Sequence, residues 1–555
     1  MNKPLLLSLA AAAILTSNLD AQSMYERIQS MELQMKQMND EITTLKAKDA
    51  QAAVEEEDEK APVAVDSEDE DDEDTVATDS DEEDDSADAS EEDDDDEETV
   101  EDRLVDLEES VTDLNKNTNG SHLKLGVDYR FAVDNLQYKM ADGSKEGNDA
   151  FLTNRLWINM NWKATDNLSF TGQLAYNKAF GARSGWGTNY PGFETFDWIS
   201  NENAYDDVVR VRSAYFFYKN DTFMGTNIPW TFSIGRRPST NGHLVNLRDD
   251  DNAASPMGHT INVEFDGLSS KFALEDLTGI DGMYVKFCAG RGGTNAGPKF
   301  FSVNTQTGAI SSTSAQYATT TTNDVPDIDL GGLIFVPYND GQYGIATQYY
   351  YANNLIDANV DLTTNPGTAY LKGMKTVGGM HSITANFTMN GIGDEWSDFL
   401  DDTFFFASGA MSITDPKDNG NGGMLGSTKS QTGYSAWVGL QIPSLMTEEG
   451  RWGVEYNKGS AYWRSITYAE DTNIGSKLAA RGDAYEAYFT EPLIEDILTL
   501  QVRYTYIDYK YTGSNGFFGD TTGKPILIKS LTPQTGSSFA VDTAQDIRFY
   551  IRYRY

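Results

Sequence analysis

The sequence predicts an all-β membrane protein. The expected fold is a closed antiparallel transmembrane β-barrel of about 16 strands (14–18), preceded by a short helical coiled-coil leader and a disordered acidic linker. Three observations predict it. Apolar and polar residues alternate with period two from about Ser121 onward. No window after the first residues holds an apolar run of spanning length, so a closed barrel is the membrane-compatible solution. The chain also stops on an aromatic-tipped strand.

Residues 1–21 read as a secretory signal: Lys3 supplies the positive charge, Leu5 to Leu15 the apolar core, and Ala21 a small residue for cleavage. Residues 22–50 are expected to form a coiled-coil helix. Met24, Ile28, Met31, Met35, Met38, Ile42 and Leu45 alternate spacings of four and three, the signature of an a/d seam. Residues 51–98 are expected to be a disordered acidic linker. Between 55 and 109 there are 33 Asp and Glu against two basic residues, and too few apolar side chains to offset the entropy of ordering. A second short seam (Val100, Leu104, Leu107, Val111, Leu114) predicts a coiled-coil helix over 99–117. The net charge of −45 is thus concentrated in one tract, and residues 120–555 carry only −13.

The barrel is expected over 121–555. Leu123, Leu125, Val127, Tyr129 and Phe131 alternate with His122, Lys124, Gly126, Asp128 and Arg130. Leu156, Ile158, Met160 and Trp162 alternate with polar neighbours in the same way. A soluble sandwich also alternates. What favours a membrane is the recurrence of Trp162, Tyr176, Trp230, Trp452 and Tyr506 near strand ends, together with long charged side chains at mid-strand. Strands are predicted near 123–133, 154–163, 167–178, 208–219, 230–237, 269–277, 282–290 and 328–337. The remainder fall near 342–351, 380–390, 403–413, 433–441, 451–458, 484–490, 498–511 and 545–555. A ring of that size should hold water rather than a packed core. Connections at 179–207, 238–258, 292–327 and 512–544 read as extracellular or infolded loops.

The final strand is the most specific signal. Phe549, Ile551, Tyr553 and Tyr555 continue one apolar face from Ile547, the form read by outer-membrane assembly machinery. On the opposite parity, Arg548 and Arg552 join Arg130, Arg155, Lys163, Arg210, Arg212, Arg237, Lys286 and Arg503 as candidate pore-lining cations. Fixed guanidinium groups on a rigid wall suit carboxylate or phosphate, so an anion pathway is one expectation. The competing expectation is that acids on an inward loop oppose them. Asp249, Asp250 and Asp251 are candidates, as are Asp394, Glu395, Asp398, Asp401 and Asp402.

Catalysis is not expected. His122, His243, His259 and His381 are scattered, and Ser382 faces away from its neighbour His381. With one cysteine, Cys288, neither a disulfide framework nor a structural zinc site is available. No cofactor or metal is expected. The expected partners are outer-membrane lipid, the barrel-assembly machinery, small hydrophilic solutes and further copies of the chain, a trimer being an inference from barrel type; nucleic acid is not among them. These features lead to a bacterial outer-membrane porin with its N-terminal segment in the periplasm. The rival is a structural anchor or tether that uses the leader.

Several blocks also resemble a known family: Asp134–Lys145, Asn154–Met160, Ile228–Arg248, Ser255–Gly267, Gly475–Phe489 and Tyr504–Gly519. Together they resemble an uncharacterised porin-like outer-membrane family of Campylobacterota, known as a domain of unknown function. The resemblance covers most of 121–555. It implies a barrel and an envelope location, and carries over no substrate or catalytic residue.

Overall fold

A computed structural model of the chain describes residues 123–555 except 181–208, 238–239, 253, 293–301, 304–305, 312–326, 362–369, 394–395, 418–422, 468–469, 514–522 and 539. The signal, the two helical seams and the acidic tract lie outside the described residues.

Sixteen antiparallel strands close into one barrel. They are β1 (Leu123–Met140), β2 (Lys145–Lys163), β3 (Leu168–Ala179), β4 (Arg210–Asn220), β5 (Trp230–Arg237), β6 (Phe265–Ala273), β7 (Tyr284–Gly292) and β8 (Ile328–Asn339), followed by β9 (Tyr343–Asp361), β10 (Tyr370–Asn390), β11 (Phe404–Pro416), β12 (Thr432–Pro443), β13 (Arg451–Gly459), β14 (Gly482–Ile494), β15 (Leu498–Tyr509) and β16 (Val541–Arg554). Each pairs with its sequence neighbour in the ring, and β16 returns to β1 in the register Asp128↔Arg554 to Met140↔Val541. Tyr555 completes the seam, exchanging backbone hydrogen bonds of 2.7 and 2.9 Å with Val127. Closure leaves no sheet edge, so the wall can sit in lipid with its backbone groups satisfied.

The wall is two-faced because the residues alternate. Leu125, Phe216, Ile234, Phe287, Val454 and Ile547 point outward and stay exposed on a folded chain, forming an apolar belt that water would disfavour and hydrocarbon would not. Along β16, Ile547, Phe549 and Tyr553 point out, while Arg548, Tyr550 and Arg552 are buried inside. Aromatic side chains gather near one end of the belt. Trp230 stacks on Phe272 at 6.4 Å with Phe223 edge-on to both, and Trp452 meets Phe489 at 4.7 Å. Among the described residues no helix is long and apolar enough to cross a membrane.

The two ends differ. Turns 164–167, 340–342 and 495–497 are short and lie at the end where the chain terminates; Arg554 donates to Ile497 there. Most connections at the other end are long, 141–144 excepted, the arrangement that places short turns in the periplasm in bacterial barrels.

Two differences from the sequence expectation have physical causes. Strands β1, β2, β9 and β10 run 18, 19, 19 and 21 residues, whereas about 9–11 suffice to cross a bilayer. The outward alternation ends with the hydrocarbon but the ladder does not, so these hairpins were read short. Second, the lumen is not uniformly wet. Sixteen strands enclose more width than wall side chains can fill, and two connections fold into it: 240–264, here the first strap, and 460–481, the second strap. Around them Ile261, Val263, Phe265, Leu330, Tyr350 and Ile466 form one apolar cluster, and Leu244, Val245, Phe406, Trp437 and Leu478 another.

Candidate functional site

The inward arginines are built into ion pairs with the straps and with acids of the wall. Arg130 on β1 holds both carboxylate oxygens of Asp471, a second-strap residue. Arg548 on β16 reaches the same carboxylate at 3.0 Å, and Arg503 on β15 donates to the Asp471 carbonyl at 2.7 Å. Wall acids complete the set: Asp134 lies 2.5 Å from Arg548, and Asp128 accepts from Arg552 and pairs with Arg155 at 3.5 Å. The first strap supplies Asp251, 2.9 Å from Arg552, and the Asp249 carbonyl to the same guanidinium. Arg212 pairs with Glu264 of the first strap at 2.9 Å, and the Arg155 and Arg212 guanidiniums both lie over the Trp157 ring.

A second knot sits deeper along β13 and β14. Lys477 of the second strap lies 2.6 Å from Glu455 and also contacts Glu486; Glu470 is 3.9 Å away. Arg248 of the first strap meets Glu470 at 3.1 Å and Glu486 at 3.5 Å. The two straps are thus tied to each other as well as to the wall. Every side chain in this knot is almost wholly buried, where an unpaired charge would be costly.

Electrostatics follow from the pairing. Burial opposes charge on Asp471, but Arg130 and Arg548 outweigh it and hold the carboxyl well below the usual carboxylate range. Lys477 is likewise disfavoured by burial yet raised by Glu455 and Glu486. His259 has no such partner. Burial pushes it down to about 3, and the ring is held neutral between Ser408 Oγ at 2.8 Å and Ser435 Oγ at 2.9 Å, beside Trp437 and Trp463. Since its folded value lies below the ordinary 6.5, its contribution is intact above that pH and declines as pH falls toward 3. The slope is about 1.4 kcal/mol per pH unit. Asp471, lowered from 3.8, adds its loss only beneath that value. We therefore expect the thermal midpoint to fall between pH 6.5 and 4 and His259→Gln, which keeps both hydrogen bonds, to flatten that fall; an identical slope in the variant would contradict the assignment.

Of the candidate cations, Arg130, Arg155, Arg212, Arg503, Arg548 and Arg552 come together in this charged interior. Arg210 is half-buried at the start of β4. Lys163 does not join them: it sits exposed at the rim, paired with Asp166 at 2.6 Å, because its strand ends there. Arg237 faces inward beside Cys288 and the Tyr215 ring, while Arg236 turns back at the strand end to Glu264 at 3.4 Å. Lys286 faces inward and contacts Ser255. Asp251 meets the wall arginines Arg552 and Arg554, as an inward acidic loop requires, whereas the Asp249 carboxylate pairs with Arg248 of its own strap. Asp394 and Glu395 lie outside the described residues. The sequence reading missed Asp471, Glu470, Glu264 and Lys477, and the wall acids Asp128, Asp134, Glu455 and Glu486; the wall acids were visible on the same polar parity as the arginines. His381 lies on the outer face, bonded to Tyr349 at 2.8 Å, and Ser382 is buried inside.

At the short-turn end a chamber of about 850 Å³ opens beside the first strap. Asp250, Asp401, Asp402, Glu448, Glu449, Glu495 and Asp496 line it, with Arg451 the cation of the lining, 3.7 Å from Asp250.

An apolar belt outside, a closed 16-strand wall and a charged, strap-filled interior define a transmembrane β-barrel of porin-like build. The chain belongs to the family described as Protein of unknown function (DUF3373), whose model matches residues 145–555. No curated protein matches it. Similar solved structures include the in-vitro folded outer membrane protein OmpT of Vibrio cholerae, at 11% identity and TM-score 0.40, covering 78% of this chain and 97% of that one. OprB of Pseudomonas putida is 12% identical at TM-score 0.42, with 81% and 97% covered. An anion-selective porin from Comamonas acidovorans is 9% identical at TM-score 0.41, with 78% and 99% covered.

Proposed function

We propose that this protein is a bacterial outer-membrane channel for passive diffusion of small hydrophilic solutes, filtered by two straps and without a covalent step. The observation that carries the reading is the combination of a lipid-facing apolar belt with a charged interior narrowed by 240–264 and 460–481. Lumen arginines tied to Asp471, Asp251 and Glu264 are a weaker field for anions than the bare ladder expected from sequence. The acid-lined chamber favours cations at its mouth. The outward row of Phe549, Ile551, Tyr553 and Tyr555 serves assembly. Residues 22–119 form a periplasmic leader and homo-oligomers form in the membrane; Campylobacterota is the source the sequence resemblance implies.

Swelling of liposomes containing the full chain tests this. Amino-acid-sized solutes should enter several-fold faster than trisaccharides, and lysine faster than aspartate. Deleting residues 22–119 should leave those rates unchanged, whereas a tether would lose envelope attachment. Swelling no faster than protein-free liposomes would rule the reading out.

A further inference from the structure

A second cavity, of about 290 Å³, lies inside the wall at β6–β10, with Ser255 and His243 of the first strap in its lining. Its lining carries two lysines and no carboxylate. Lys271 on β6 and Lys286 on β7 are directly opposed in the strand register and both face inward. Like charges opposed across a ladder repel. Arg130, Arg212, Arg248, Arg548, Arg552 and Lys477 each have a carboxylate partner in the lumen. These two lysines have none among the described residues. Lys271 lies over the Tyr284 ring at 4.1 Å and Lys286 reaches the Ser255 hydroxyl.

The remaining lining says what would fit. Met257, Ile334 and Val336 form a buried apolar cluster packed by Tyr284 and Ala346, and Pro256 adds to it. Hydroxyls of Ser255 and Thr388 stand nearby as donors. His243 is half-buried and its partial burial pushes it toward its neutral form, so the positive charge of the pocket rests on the lysines. Two ammonium groups at one end and an apolar wall beyond them match a small organic carboxylate with an apolar body.

We propose that this pocket binds such a carboxylate, the anion neutralising the Lys271–Lys286 pair while its apolar part lies against Met257, Ile334 and Val336. The pocket is a side chamber separate from the acid-lined one, so it retains an anion rather than passing it. The proposal rests on barrel geometry and not on conduction. A barrel that binds the anion but passes no solute would sink the channel reading and leave this one standing.

The test uses the full chain in detergent at fixed ionic strength, with benzoate as probe, benzamide as its uncharged counterpart and inorganic phosphate as an anion without an apolar body. Binding is read by titration calorimetry and by the thermal midpoint. Benzoate should bind and raise the midpoint, and benzamide should do neither. Lys271→Glu, which gives Lys286 an internal partner, and Lys271→Met should weaken benzoate binding roughly thirtyfold or more. Both should also raise the midpoint of the unliganded protein by a few degrees, because they remove repulsion; a purely structural lysine would lower it. Unchanged benzoate affinity in both variants overturns the site. Equal binding of benzamide overturns the charge recognition, and phosphate binding as tight as benzoate overturns the apolar half of the assignment.

Discussion

Replacing Asp471 with alanine frees the Asp471 end of the second strap from Arg130 and Arg548 on the wall. The substitution leaves Arg130, 4% exposed, without a carboxylate, and Arg548 with only Asp134. Removing one partner of a buried pair costs about 3–5 kcal/mol, because the charge left behind is neither hydrated nor paired. That cost falls on the docked strap rather than on the barrel ladder, whose backbone bonds do not involve Asp471. The expected result is therefore local: protease cleavage within 460–481 appears in the variant and not in the wild type, while the barrel stays folded in detergent. Asp471→Asn keeps the size but not the charge and should behave nearly as badly. Unchanged protection of the strap in both variants would mean that the Lys477 knot and the apolar contacts of Trp463, Ile466 and Leu478 hold it without Asp471.

Lys477→Met acts on the other knot. Lys477 stands among Glu455, Glu470 and Glu486, and without it Arg248 is the one remaining strap cation facing them, helped by Arg503 at 4.0 Å from Glu486. Methionine fills comparable volume, so the loss isolates charge from packing. An expected cost of about 3–5 kcal/mol makes this one of the two most damaging single changes outside the ladder. Here acid should help: lowering the pH toward carboxylate protonation relieves the excess of negative charge and narrows the gap between variant and wild type. Urea unfolding midpoints at two pH values measure it. A gap that widens in acid would contradict the pairing.

All sixteen strands were legible because each presents one face to lipid and the other to a polar interior, and a period of two survives without any knowledge of neighbours. Strand ends were not, since the ladder continues past the membrane where the pattern has no reason to. In β8 the inward Ile328, Leu330, Ile334 and Val336 run beside the outward Leu333 and Phe335. Both faces are apolar there because straps cover the inner one, and that doubled face was the sequence sign that the lumen is partly packed. The second strap left no comparable sign. Trp463, Ile466, Ile474 and Leu478 are irregularly spaced, since an irregular segment in a lumen obeys no period, and Glu470 and Asp471 read as ordinary loop charges. The candidate cations were recognised from parity, but the partners of Arg130, Arg548 and Arg552 lie 77 to 424 residues away in sequence, a distance that only the closed ring brings together. Lys271 was overlooked for a different reason: it is unpaired, and absence of a partner has no signature in a linear chain.

Single-channel conductance in planar bilayers, wild type beside Asp471→Ala, tests most directly that latched straps narrow an aqueous barrel. The account predicts small, stable steps for the wild type and several-fold larger, noisier steps for the variant, as the strap leaves the lumen. Steps of equal size in the two proteins, or no current from either while both remain folded, would contradict it.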